Sequence, residues 1–169
     1  MSLADTLIQE LEQEGNTTRR VLDRVPADKL AWKPHEKSLS IGQLALHLAR
    51  VNGSIAPMAV PETFEVVGNP FQFAEAESKT QIIDEFDEGL AQAKKAIAAM
   101  DDATITHPWT MKAGDRTIMS MPRIALFRAL LCNHAYHHRG QLSVYLRLLN
   151  VDVPSIYGPS ADENPFAAG

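Results

Sequence analysis

The stretch LCNHAYHHRGQLSVYLRLL, residues 131–149, places His134, His137 and His138 within five residues of one another. His134 and His138 stand four apart, so at about 100° per residue they lie about 40° from each other on one helix face. With that spacing a helix presents two imidazoles to one metal ion. An apolar stripe runs Phe127, Leu131, His134, His138, Leu142, Tyr145, Leu149 in steps of three and four, which predicts that both histidines face the core. A buried polar group without a partner costs about 1–3 kcal/mol, and a shared metal satisfies both rings at once. His137 leaves the stripe and reads as a supporting or surface residue. Gln141, three beyond His138, shares the site face and is placed to hold a bound water.

A third candidate ligand is His47, in SIGQLALHLARV, at the flank of the stripe Ile41, Leu44, Leu48, Val51, Ile55. Three histidines without a fourth protein ligand describe an open site, the arrangement of catalytic rather than structural zinc. A metal held in that way acidifies a bound water or thiol, or polarises a substrate oxygen. Imidazole suits Zn²⁺, Ni²⁺, Cu²⁺ and Fe²⁺ alike, so the donors alone do not choose the ion. Other chemistries find no support. Ala135 stands where a zinc protease HExxH helix needs its glutamate, and Cys132 points to another face. No phosphate loop, dinucleotide fingerprint or nucleophile elbow is present, and no carboxylate is visibly placed as a general base. The bland alternative is a set of histidines bonded only to one another and to water.

Four helices must position these residues, at about 3–25, 40–56, 78–100 and 121–150, in a single all-α domain spanning 1–169. Ser2 starts the first, whose face Leu3, Leu7, Leu11, Thr18, Leu22, Val25 ends at Pro26 and thins at Gly15 and Thr18. Those small residues allow close packing, or line a polar site. Antiparallel packing of the first two helices would set His47 opposite Thr18. Residues 26–39 form a connection in which Trp32 lids the core and His35 is solvated.

Residues 57–77 carry Pro57, Pro61, Pro70 and Phe64, Phe71, Phe73, a long connection that packs on the bundle or on a partner subunit. Such a crossover makes the second and third helices parallel. Ser78 caps the third helix, with Ile83, Phe86, Leu90, Ala93, Ile97 and Met100 inward and Glu85, Asp87 and Glu88 in solvent. Residues 101–119 read as a loop containing His107. Within it a short hairpin turns at Gly114-Asp115. The last helix begins near Pro122, and in the irregular tail Tyr157 packs back.

The 169-residue chain has a net charge of −5 and a pI near 5.6. This argues against a general nucleic-acid binder, since phosphate affinity rests on Lys/Arg excess. No apolar run is long enough for a membrane span, and the N-terminus lacks the pattern of a signal peptide. The single cysteine, Cys132, forms no internal disulfide. Together these predict a cytoplasmic location.

The sequence resembles the DinB/YfiT-like family of bacterial metal-binding four-helix bundles. The resemblance is carried by SIGQLALHLARV with His47 and NHAYHHRGQLSVYLRLLNVDVP with His134 and His138. LAWKPHEKSLS and IYGPSADE add to it, so that it spans essentially the whole chain. It implies a four-helix bundle with a long crossover between helices 2 and 3, and a homodimer. It also implies a divalent transition metal, Zn²⁺ or Ni²⁺ first, on His47, His134 and His138. Family members include thiol-dependent transferases and isomerases, and metal-dependent hydrolases. The function expected is therefore a metal-dependent hydrolase or thiol transferase acting on a small molecule, in the second case with a low-molecular-weight thiol as partner. Arg139 is a candidate for holding an anionic thiol. The alternative is a non-catalytic, metal-stabilised binding or stress-response module.

Overall fold

The computed structural model describes residues 1–68 and 72–167; Pro70 and Phe71 of the long connection lie outside them. Side chains that satisfy the free N–H groups of the first turn start the long helices. Helix α1, Leu3–Leu22, opens on a capping box in which the Ser2 hydroxyl and the Asp5 carboxylate serve each other's backbone N–H. Helix α2, Ile41–Met58, repeats the device with Ser40 and Gln43. Helix α3, Lys79–Ala98, is capped by Ser78, which accepts from the N–H of Gln81.

Contacts between the helices fix their directions. Arg19 pairs with Asp87 at 3.0 Å and Glu12 with Lys94, so α1 and α3 are antiparallel. Arg50 pairs with Glu85 at 2.8 Å, and a methyl group added to Gly53 would lie 3.0 Å from the Gly89 Cα. Residue numbers thus rise together along α2 and α3, which run parallel, as a long connection allows.

The fold is mostly helical but not all-α. Residues 101–119 hold a short helix α4, Asp102–Thr106, capped by Asp101. A three-stranded sheet follows in the order β1 (Thr63–Glu65), β2 (Pro108–Ala113), β3 (Arg116–Pro122). The hairpin between β2 and β3 turns where expected, with Gly114 at φ 58°, a conformation glycine adopts without penalty. Strand β1 joins in parallel, Phe64 opposite Met111. It comes from the long connection, 45 residues upstream of β2 at its start (Thr63 to Pro108), and three residues show no alternation to read.

Buried Arg123 ties the helices to the sheet. Its guanidinium donates to the carbonyls of Ala59 at 2.8 Å and Pro61 at 3.2 Å, next to the C-terminus of α2. A cation at a helix C-terminus also meets the favourable end of the dipole.

The last helix, expected from about residue 121, begins at Arg123 with Pro122 at its cap position, because Ser120 to Pro122 complete β3. It runs continuously as α5 (Arg123–Leu126), a π-helical stretch Phe127–Asn133 and α6 (His134–Leu148). The side chains form two apolar clusters. One gathers Leu7, Leu11, Ala93, Ile97, Trp109, Leu126 and Phe127. The other gathers Val21, Leu22, Ile41, Leu44, Ile82, Phe86, Leu142 and Leu146. On α1 the two are separated by Gly15 and Thr18, on α3 by Leu90, and on the last helix by the segment His134–Arg139. The buried polar residues Thr18, Asn52 and Arg139 lie at this boundary.

Candidate metal centre

His47, His134 and His138 come together between α2 and α6. Their ligand nitrogens all lie within 4.8 Å of one another. The His47 and His134 Nε2 atoms face each other at 2.9 Å. The His138 ring centroid is 4.6 Å from that of His47 and 4.5 Å from that of His134. A tetrahedral Zn²⁺ at about 2.0–2.1 Å from each nitrogen spaces its donors about 3.3 Å apart, so small shifts adapt the cluster to one ion. Among the described residues no cysteine, aspartate or glutamate joins the three.

All three rings are half-buried. Burial, reinforced by His138 and then His134, pushes the His47 imidazole down to about 4. Burial also lowers His134, with His138 and His137 adding to it. In His138 burial again dominates, opposed by the hydrogen bond to Gln141. The rings are consequently neutral at physiological pH, the state in which imidazole carries a lone pair for a metal. Three neutral donors converging from two helices fit a divalent transition metal.

The expected burial of His134 and His138 in the middle of the core stripe needs correction. The deepest residues of α6 are Arg139, Leu142 and Leu146; Leu142 is on the predicted line, but Arg139 and Leu146 each fall one residue after its His138 and Tyr145. The π-helical stretch just before His134 bonds i to i+5 and shifts the phase of everything after it. The histidines therefore sit at the flank facing α2, where they meet His47 and stay reachable.

Other assigned residues fall elsewhere. Gly15 and Thr18 border a void of about 10 Å³ lined also by Glu14, Asn52, Cys132 and Tyr136, and none of the three histidines is in its wall. Thr18 accepts from Arg139 at 3.1 Å, because the phase shift aims Arg139 at α1. Gln141, expected on the site face, accepts a hydrogen bond from His138 Nδ1 at 2.8 Å. Cys132 is buried, and desolvation raises its thiol pKa. His137 is exposed with its ring 5.0 Å from that of His138. His35 and His107 are exposed loop residues, as expected.

Two features take roles other than those read from the sequence, where Phe73 belonged to the packed crossover and Arg139 was a candidate for holding an anionic thiol. Phe73, from the connection after β1, sets its ring edge-on against His47 with centroids 5.0 Å apart. Arg139, immediately after a ligand candidate, is 1% exposed and bonded to Glu14 at 2.6 Å. Tyr136 and Tyr157 lie over its guanidinium at 5.1 and 4.9 Å. The signal for it was an arginine on a line with Leu142 and Leu146, since a buried cation demands a carboxylate on a neighbouring helix.

The chain belongs to the DinB family, whose model matches residues 1–165. The Bacillus subtilis (strain 168) protein YrdA, described as uncharacterized, is 25% identical over 163 residues, 94% of this chain and 90% of YrdA. Two solved structures share the fold. A DinB-like protein from Bacillus cereus superposes with a TM-score of 0.69 at 22% identity, over 90% of this chain and 97% of its own. The DinB-like protein YjoA of Bacillus subtilis gives 0.68 at 18% identity, over 89% and 97%.

Proposed function

We propose that this DinB-family chain binds one divalent transition metal through His47, His134 and His138 and is a metal-dependent hydrolase of a small molecule. The observation that carries the reading is the convergence of three neutral imidazoles within 4.8 Å, with no fourth protein donor among the described residues. In this reading the four long helical segments act as a four-helix bundle with a crossover from α2 to α3. The bundle holds α2 and α6 at the distance the ligand set requires.

A bound ion supplies Lewis acidity toward an oxygen or sulfur placed on it. The chain's own residues do the rest. The three rings fix the ion's position, and Phe73 shields one side of His47 from water. Hydrolysis is favoured over transfer of an anionic thiol because Arg139, the cation nearest a ligand in sequence, is engaged by Glu14 and turned toward α1.

Elemental mass spectrometry of protein purified without a histidine tag is the test. The expected result is close to one transition-metal ion per chain, lost in His47→Ala and His138→Ala. Unchanged stoichiometry in both variants would sink the site. With the metal established, chelator-sensitive turnover of small esters or amides without added thiol is expected, and strict thiol dependence would move the assignment to transfer.

A further inference from the structure

We infer that Gln141 is a positioning residue that holds His138 as the Nδ1–H tautomer, so that Nε2 is the nitrogen offered to the metal. The inference rests on the metal-binding reading and adds a residue that does not itself touch the ion. The His138 Nδ1 lies 2.8 Å from the Gln141 Oε1. An amide oxygen only accepts, so Nδ1 must carry the proton and the lone pair is left on Nε2. Nε2 is also the nitrogen by which His47 and His134 face each other. The two residues are three apart on α6, so the regular helix fixes their approach without any other element. Gln141 is exposed, and among the described residues this is its side chain's one hydrogen bond.

The choice of an amide has a chemical consequence. A carboxylate partner also selects the Nδ1–H tautomer, but it places a negative charge behind the ring and makes the ligand more basic. A neutral amide sets the tautomer while leaving the ion its full charge, and with it more Lewis acidity toward a substrate.

The tautomer is read directly from long-range ¹H–¹⁵N spectra of metal-free, ¹⁵N-labelled protein above pH 7.5. The expected pattern is Nδ1–H for His138 in the wild type and in Gln141→Glu, and appearance of the Nε2–H form in Gln141→Leu. An Nε2–H ring in the wild type, or an unchanged tautomer in Gln141→Leu, overturns the inference. Competition of Zn²⁺ and Ni²⁺ against a chelating dye gives the second readout. Gln141→Leu should bind about 10–100-fold more weakly, and Gln141→Glu as tightly as the wild type or tighter. Equal affinity of Gln141→Leu and wild type overturns the positioning role. Failure of the metal reading itself is distinguishable, since the wild type would then bind no better than His138→Ala while the metal-free spectra still decide the role of Gln141.

Discussion

Arg139 brings a full positive charge inside the molecule, and its survival there depends on Glu14. The pair is held at 2.6 Å, with Glu14 itself 14% exposed. Removing one member of such a pair leaves the other charge stranded, at about 3–5 kcal/mol. Arg139→Met is therefore expected to lower the unfolding free energy by that order, seen as a lower denaturant midpoint, and Glu14→Gln to act in the same direction. A midpoint unchanged in both would show that the pair contributes nothing. The histidines give the opposite kind of signal, in pH. Their folded-state values lie below the ordinary 6.5, that of His47 at about 4. The unfolded chain thus takes up protons before the folded one does. Stability of the metal-free protein should be flat above pH 7 and fall as pH drops from 6.5 toward 4. Replacing His47 by Phe should flatten that decline; a variant with the wild-type slope would remove His47 as its source.

Glycines divide sharply in what they do for the helices. A methyl group on Gly89 would lie 3.0 Å from the Gly53 nitrogen and 3.3 Å from its Cα, both backbone atoms that cannot swing aside. The parallel packing of α2 on α3 depends on that absence. Gly89→Val should cost about 1–3 kcal/mol through overpacking and disturb the spacing along α2. Gly140 is the counterexample, exposed and with open space where its Cβ would be. There Gly140→Ala should gain about 0.4–1 kcal/mol by restricting the unfolded chain. Equal effects of the two substitutions in thermal melts would contradict the packing described. The π-helical stretch Phe127–Asn133 works at the same scale, because it turns Arg139 toward α1 and leaves His134 and His138 facing α2.

Across the whole molecule, the two apolar clusters account for cohesion, and the candidate metal ligands lie at the boundary between them. Trp109, fully buried with its indole N–H donating to the Met58 carbonyl at 3.1 Å, joins the sheet to the helical core. An ion bridging α2 and α6 binds the folded chain and not the unfolded one, so it adds stability by mass action. At an ion concentration 100 times Kd the gain is about 2.7 kcal/mol, or about 5–10 °C in Tm for a chain of this size. Calorimetry with Zn²⁺ or Ni²⁺ against chelator checks this, and a Tm indifferent to both would mean that no ion links the helices.

The sequence by itself determined much of this protein. The caps Ser2, Ser40 and Ser78, the three-four apolar spacing and the Gly114-Asp115 turn are local features, and each was legible because neighbours in sequence decide it. The candidate ligands were legible for a similar reason, since the i, i+4 histidine pair is itself a local geometry. His47 could be nominated as a ligand beside them, while Thr18, expected opposite it, bonds to Arg139. Only the tertiary structure decided which helix each polar side chain meets. Strand β1 exists because β2 offers it an edge, and three residues carry no periodicity of their own. The phase of the last helix depends on a π-helical stretch whose residues, FRALLCN, read as ordinary helix. That shift sends Arg139 to Glu14 and the histidines to His47. Pairings between distant segments reflect shape and burial in the assembled core, and a one-residue change in phase, invisible in composition or spacing, is enough to redirect them.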